Sequence, residues 1–466
     1  MTRALPIAIL LILLLAATPA ALAQQRFPPP EFDTPRDLPT TALPPSSAPW
    51  SEYVDLGVLA GALVVAALLT VRFRSRRWIV AMSIGSLMYF GFVRGGCVCP
   101  IGAIQNVALA IADAGYAIPL TVVGFFILPL ALALFAGRSF CASVCPLGAV
   151  QELVILHPLR VPQWAERTLS LLAWVYLAAA VVFAATESAF IICQYDPFVA
   201  IFRLVPVGKI VEGLGRDEKF FNAWALSGRL DQLLLAGAFV AIGLVIARPY
   251  CRYLCPYGVL LGLLSRLSWR RVTVTPGECV QCRLCEDACP VGAIRKPTAE
   301  APSRQRLRGK GVLTAALVAM PFLVVGGGVI GGLLGPVMAG AHPTVALAER
   351  IRLENAGEVE GTTDESDAFR SGDRSPKELF AEAAEVEAKF VALWRVGVGV
   401  GWAHLFGAFV GLVVSLKLIA QSIRRRRTDY EPDAAACVGC GRCFAHCPIE
   451  RARRTGKPVR LTDRET

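Results

Sequence analysis

The stretch Cys279-Val-Gln-Cys282-Arg-Leu-Cys285-Glu-Asp-Ala-Cys289-Pro290 decides how the rest of the chain is read. Its spacing, C-x-x-C-x-x-C-x-x-x-C-P, lets three thiolates grip one face of a 4Fe–4S cube while the fourth departs along a helix toward a second cube. One such run is half of a two-cluster unit. The other half is present as Cys437-x-x-Cys440-x-x-Cys443-x-x-x-Cys447-Pro448. The crossed pattern predicts one cube on Cys279, Cys282, Cys285 and Cys447, and another on Cys437, Cys440, Cys443 and Cys289. A zinc knuckle, which does not use this triple-plus-one spacing, and a disulfide framework are the weaker alternatives. The expected cofactors are two 4Fe–4S clusters, and the expected chemistry is electron carriage.

Composition places that unit in a membrane protein. The 466 residues are 55% hydrophobic and only 18% charged, an apolar excess that must face lipid rather than one large core. The net charge of +11 points to cytoplasmic loops, and no nucleic-acid partner is expected. Fifteen cysteines against four histidines favour thiolate-held iron–sulfur centres over haem. No C-x-x-C-H haem site and no strand-borne G-x-G-x-x-G occurs. His404 lies inside a span without a second histidine to share a haem, and His342 lies near an outer end. His157 and His446 read as solvated or capping residues.

Met1–Gln24 reads as a signal peptide, with Arg3, an apolar run Ile7–Ala17 and an Ala21-Leu22-Ala23 cleavage site; an uncleaved anchor helix is the alternative. Residues 25–52 form an external Pro-rich linker. A membrane domain over 53–268 precedes a first ferredoxin half at 269–311. A transmembrane hairpin at 312–420, carrying an external acidic loop at 341–394, separates it from a second half at 421–466. Seven spans are expected: Tyr53–Val71, Trp78–Val93, Ile118–Ala136, Thr168–Thr186, Leu230–Ala247, Val312–Met338 and Val396–Ile419. With the N-terminus outside, about 30 of the 47 Lys and Arg residues fall on the cytoplasmic side. The expected fold is mainly α: a polytopic membrane helix bundle with a cytoplasmic two-cluster ferredoxin-like domain split by a transmembrane hairpin, in the bacterial inner membrane. The glycines at 326–328, 331–332 and 335 read as a packing stripe.

Three further cysteine motifs form an internal repeat in the membrane domain. They are Val93-Arg-Gly-Gly-Cys97-Val-Cys99-Pro100-Ile-Gly, Gly137-Arg-Ser-Phe-Cys141-Ala-Ser-Val-Cys145-Pro146-Leu-Gly and Ala247-Arg-Pro-Tyr-Cys251-Arg-Tyr-Leu-Cys255-Pro256-Tyr-Gly. Proline suits the first turn of a new helix, and thiols at a helix start feel its positive end. Cys141, Cys145, Cys251 and Cys255 supply the four ligands of a further iron–sulfur cluster; simple packing of buried thiols is the alternative. Cys97, Cys99 and Cys193 fall on the outer side, as a disulfide-forming set, a smaller redox centre or a soft Cu(I) site. Glu187, Asp196 and Arg203 sit near the outer boundary and line a quinol pocket or a solvated loop.

Repeated C-x-x-x-C-P-x-G motifs followed by a ferredoxin run resemble the membrane polyferredoxins of the NosR/NapH type. The resemblance covers Arg72 to Pro290 and Cys437 to Pro448, and is most specific at Cys141/Cys145 and Cys251/Cys255. It implies a subunit, rather than a stand-alone enzyme, that passes electrons between the quinol pool or a cytoplasmic donor and an extracytoplasmic redox enzyme, such as nitrous oxide or nitrate reductase. An external flavin domain of that type is not expected, since only the linker stands in its place and no S-G-A-T attachment sequence occurs. The alternative is a redox-sensing or assembly factor for an external metalloenzyme, copper reduction included.

Overall fold

The computed structural model describes residues 49–456 except 97–98, 114, 157, 160, 187–190, 195, 204–229, 271, 275–278, 299–302, 360, 373–374, 392–399 and 424–426. The expected signal peptide and all but the end of the linker, together with Cys97, His157 and Glu187, therefore lie outside the described residues.

Helix dominates because long apolar runs leave backbone polar groups no partner but one another. In chain order the helices are α1 Pro49–Ala67, α2 Arg76–Ser86, α3 Pro100–Ala112, α4 Leu120–Ala136, α5 Ser139–Ser143, α6 Pro146–Val154 and α7 Gln163–Ala185. They continue with α8 Ile191–Gln194, α9 Pro197–Arg203, α10 Leu230–Val245, α11 Pro249–Tyr253, α12 Pro256–Arg266 and α13 Leu284–Asp287. After strand β1 (Ile294–Arg295) come α14 Ser303–Leu333, α15 Gly335–Gly340, α16 Pro343–Ala356, α17 Asp364–Arg370, α18 Pro376–Val391 and α19 Trp402–Ser422. Strand β2 (Glu431–Pro432), α20 Arg442–His446 and α21 Pro448–Thr455 complete the described chain. Wider π-wound turns extend α1 through Leu68–Arg72 and α2 through Leu87–Val93.

Four of the seven expected spans are helices long and apolar enough to cross a membrane: Trp50–Arg72, Gln163–Ala185, Gly309–Leu333 and Trp402–Ser422. The expected spans near α4 and α10 are helices of 17 and 16 residues, and Trp78–Val93 is helical across α2 and its π-wound extension. An apolar helix not counted among the spans, α3, packs along α7. Exposed Trp78 and Trp164 mark the starts of α2 and α7, and exposed Trp269 follows α12, the position interfacial tryptophans favour.

The hairpin α14–α19 is built on glycine. A Cβ on Gly331 would lie 2.2 Å from the Ala403 carbonyl, and one on Gly411 2.1 Å from that of Leu323. The two backbones touch, as small-residue stripes permit. The His404 ring fills the slot beside Gly332 and its Nδ1 accepts the Gly401 N–H at 3.3 Å, capping α19. His342 similarly caps α16, accepting the Thr344 N–H at 3.1 Å.

The two cysteine-run segments, on either side of the hairpin, meet again. β1 and β2 pair antiparallel with Ile294 opposite Pro432 and Arg295 opposite Glu431, and the Arg295–Asp433 ion pair at 3.1 Å ties their ends. Beyond the hairpin's other end, α15, α16 and α18 form a helical cap whose Val386 and Phe390 pack on Val182 and Phe183 of α7. At the opposite end of α7, Glu166 accepts from Arg252 and Arg167 contacts Gln421. The 23 residues of α7 span about 34 Å, so the cap packs at one end of a membrane-length helix while Arg252 and Gln421 meet it at the other.

Candidate metal centres

Both cysteine runs wind into loops of the same shape. The third and fifth positions have left-handed φ in each: Gln281 at 53° and Arg283 at 63°, Gly439 at 74° and Gly441 at 76°. Only glycine takes this region without steric cost. Gln281→Gly and Arg283→Gly should therefore each stabilise the protein by up to about 1 kcal/mol with iron content unchanged, measured by thermal unfolding and iron assay.

Cys279, Cys282, Cys285 and Cys447 line a single pocket with Val274 and Tyr430. Cys289 lies within electrostatic reach of Cys437, Cys440 and Cys443. These are the two crossed sets. Burial, and then the neighbouring Cys279 and Cys282, push the Cys285 thiol up to about 12; burial likewise pushes Cys437 up to about 12. Thiols crowded in this way ionise readily only beside compensating metal charge. Among the described residues no three His, Cys, Asp or Glu side chains close on a single ion. A cube places its own iron and sulfide between its thiolates, so four thiols set around a pocket suit it.

In the membrane domain each C-P-x-G segment starts a helix in the same way. Cys99, Cys145 and Cys255 are N-caps of α3, α6 and α12, proline takes the first turn, and the glycine N–H donates to the cysteine Sγ at 3.4, 3.4 and 3.2 Å. In the second copy the glycine is also a close-approach site: a Cβ on Gly148 would lie 2.4 Å from the Cys141 carbonyl.

The second and third copies exchange arginines. Arg138 of the second donates to the Cys251 carbonyl of the third at 3.4 Å, and Arg248 of the third donates to the Cys141 carbonyl of the second at 2.8 Å. Both arginines are buried. Gln151 joins the pair, its Nε2 donating to Cys251 Sγ at 3.4 Å and its Oε1 accepting the Tyr250 N–H at 3.1 Å. Cys141, Cys145, Cys251 and Cys255 are thus gathered into one buried cluster of side chains. Four thiols beside two buried cations fit an anionic thiolate-held cluster.

The second cysteine run sits directly on this pair. Arg138 also donates to the Ala435 carbonyl at 2.7 Å, Ser265 to that of Ala434 at 2.6 Å and Arg76 to that of Cys440 at 3.2 Å. Glu152 is the hub: one oxygen accepts from Arg76 at 3.0 Å and Arg442 at 2.8 Å, the other from Arg248 at 3.1 Å. Burial alone would raise the Glu152 carboxyl, but Arg248 and Arg442 hold it down at about 2. A depressed carboxyl stabilises the fold above its unfolded value near 4.3 and loses that contribution as pH falls toward 2. Glu152→Gln should cost about 3 kcal/mol at pH 7, and the gap to wild type should narrow from pH 5 downward, measured by paired unfolding of both proteins.

The first copy is wired differently. Its arginine, Arg94, pairs with Asp55 of α1, which also accepts from Tyr89 at 2.8 Å. Cys99 and Cys193 are not disulfide-linked to each other; the Cys193 thiol instead donates to Gln105 Oε1 at 2.7 Å. Asp196 is fully buried and accepts from Tyr176 at 3.0 Å and Tyr250 at 2.8 Å. Tyr176 lies midway along α7, so Asp196 sits deeper than the outer boundary expected for it, because α8 and α9 fold back into the bundle. Its backbone N–H donates to the Cys193 carbonyl at 3.3 Å. A hydrogen-bonded path therefore runs from the neighbour of Cys251 to Cys193.

Sequence reasoning did not assign roles to Arg138, Arg248, Glu152, Gln151 or Tyr250. An arginine three residues before the first cysteine of each copy was the available signal.

Two family models, each described as a 4Fe-4S binding domain, match the chain: one at residues 118–162 and 232–274, the other at residues 272–295. The chain is 34% identical to Protein NirI of Paracoccus denitrificans over 34% of its own length and 22% of that protein's. It is 25% identical to the Putative electron transport protein YccM of Escherichia coli over 34% of itself and 43% of that protein. With the Regulatory protein NosR of Pseudomonas aeruginosa the identity is 29%, over 35% of this chain and 21% of NosR. The chain thus spans less than half the length of these relatives. No solved structure matches it. The chain therefore carries 4Fe-4S binding domains and is similar, over about a third of its length, to NirI, YccM and NosR.

Proposed function

We propose that this protein is a membrane electron-transfer subunit linking the quinol pool or a cytoplasmic donor to an extracytoplasmic reductase such as nitrous oxide or nitrate reductase. The observation that carries the reading is the seat of the Cys437–Cys447 run on the paired motifs, with Arg138 and Arg248 between the two thiol sets. Iron–sulfur clusters, when bound, exchange single electrons with partners. The chain's own residues supply the order. Cys279, Cys282, Cys285 and Cys447 hold the set farthest from the membrane motifs; Cys289, Cys437, Cys440 and Cys443 hold the next. Cys141, Cys145, Cys251 and Cys255 hold a third inside the bundle, and Cys193 stands beyond Tyr250 and Asp196. In this reading the cluster side of α7 is cytoplasmic, as the basic loops require, and the acidic cap is external.

The test is iron and acid-labile sulfide per chain on anaerobically purified protein. About twelve irons are expected, falling by about four in Cys141→Ser. About eight irons in the wild type, unchanged in that variant, would sink the third set.

A second reading, a redox sensor or maturation factor, draws on the similarity to NosR, which is named a regulatory protein. It requires partner activity to survive loss of this protein once the partner is assembled, whereas the wire requires activity to stop at once.

A further inference from the structure

Arg248 has a backbone that proteins avoid. Its φ of 52° is left-handed, and Pro249 follows it, so the residue is disfavoured twice over. Such strain persists only where the surroundings impose it. Here they do so by giving each guanidinium nitrogen a partner. Nη1 reaches the Cys141 carbonyl at 2.8 Å, while Nε and Nη2 reach Glu152 Oε2 at 3.2 and 3.1 Å. The residue is 1% exposed and feels charge on Cys251 and Cys141 from one thiol set and on Cys440 from the other. Glu152, its partner, is also bound by Arg76 and by Arg442, which lies between Cys440 and Cys443 in sequence.

We infer that Arg248, held by Glu152, is a positioning and charge-setting residue shared by the membrane thiol set and the adjoining Cys289/Cys437/Cys440/Cys443 set, fixing the reduction potential of both. The inference rests on the proposed reading that both sets hold clusters. A cluster on four thiolates is anionic and gains negative charge on reduction, so a buried cation favours the reduced form and raises the potential. Glu152 offsets part of that cation. The two side chains must therefore act with opposite sign. A fork of fixed donors is needed to serve Cys141 and Glu152 together, which lysine does not supply.

The experiment is an anaerobic potentiometric titration followed by electron paramagnetic resonance, on the full chain in detergent, with iron content measured alongside. Arg248→Gln is expected to lower the potentials of the two inner centres and Glu152→Gln to raise them. The centre on Cys279, Cys282, Cys285 and Cys447 should stay put in both, and Arg248→Lys should fall between wild type and Arg248→Gln. Shifts of the same sign in both neutral variants, or an equal shift in the outermost centre, would overturn the inference. Where Arg248→Gln fails to retain iron, Glu152→Gln decides alone, and no upward shift in it is fatal. A wild type with about eight irons removes the membrane centre from the reading. The centre next to Cys440 then still reports on Arg248, and its failure to move in either variant sinks the inference separately.

Discussion

Gly148→Ala strips about four irons from each chain and leaves about eight, if the membrane thiol set holds a cluster as proposed. The added Cβ would lie 2.4 Å from the Cys141 carbonyl oxygen, a separation that atoms do not tolerate, and that neighbour is backbone rather than a flexible side-chain end. The start of α6 must shift, taking with it the Cys145 thiol capped by the Gly148 N–H and the Gln151 amide bound to Cys251. Overpacking of this kind costs about 1–3 kcal/mol, and its larger effect is to pull apart thiols that must converge. Gly102→Ala is the internal control. It occupies the same motif position in the first copy, where a Cβ would meet only the Cys99 side chain, at 3.6 and 3.7 Å. Iron content should be unchanged there. Full iron in Gly148→Ala would mean that α6 gives way freely.

Gly407→Leu opens the hairpin that returns the chain to its second cysteine run. A Cβ at Gly407 would lie 2.0 Å from the Gly327 carbonyl and 2.8 Å from the Gly331 Cα. No rotamer avoids that contact, because it involves the first side-chain carbon. The expected loss is about 3 kcal/mol, the upper end of overpacking. It is read as a lower unfolding temperature in detergent, with weakened iron retention wherever Cys289 and Cys447 depend on the reunion of the two segments. Gly326→Leu, one residue from the contact and with nothing within 4 Å of its Cβ, should be silent. Equal stability of the two variants would show that the helices separate without consequence.

Much of the architecture was legible in the residues because its causes are local. The C-x-x-C-x-x-C-x-x-x-C-P spacing dictates how one loop can present thiols, and its recurrence at Cys437 demanded a reunion across an inserted hairpin. Apolar run length marked α1, α7, α14 and α19, since a bilayer sets a minimum length for a spanning helix. Glycine at every fourth position announced the close hairpin. Other features depend on contacts between segments distant in the chain, which spacing does not encode. The repeat showed three arginines in equivalent places. Only the folded chain crossed two of them, Arg138 onto Cys251 and Arg248 onto Cys141, and paired the third with Asp55. Glu152 read as an ordinary helix residue until three arginines from separate segments met on it. Asp196 looked like a boundary residue until α8 and α9 turned inward. The sequence by itself determined where the cysteine runs and the 4Fe-4S binding domains lie and that the chain is mainly helical, with four of its seven expected spans long and apolar enough to cross a membrane. The tertiary structure decided which charges stand between the thiol sets, because buried charge must find its partner in space wherever the chain brings one.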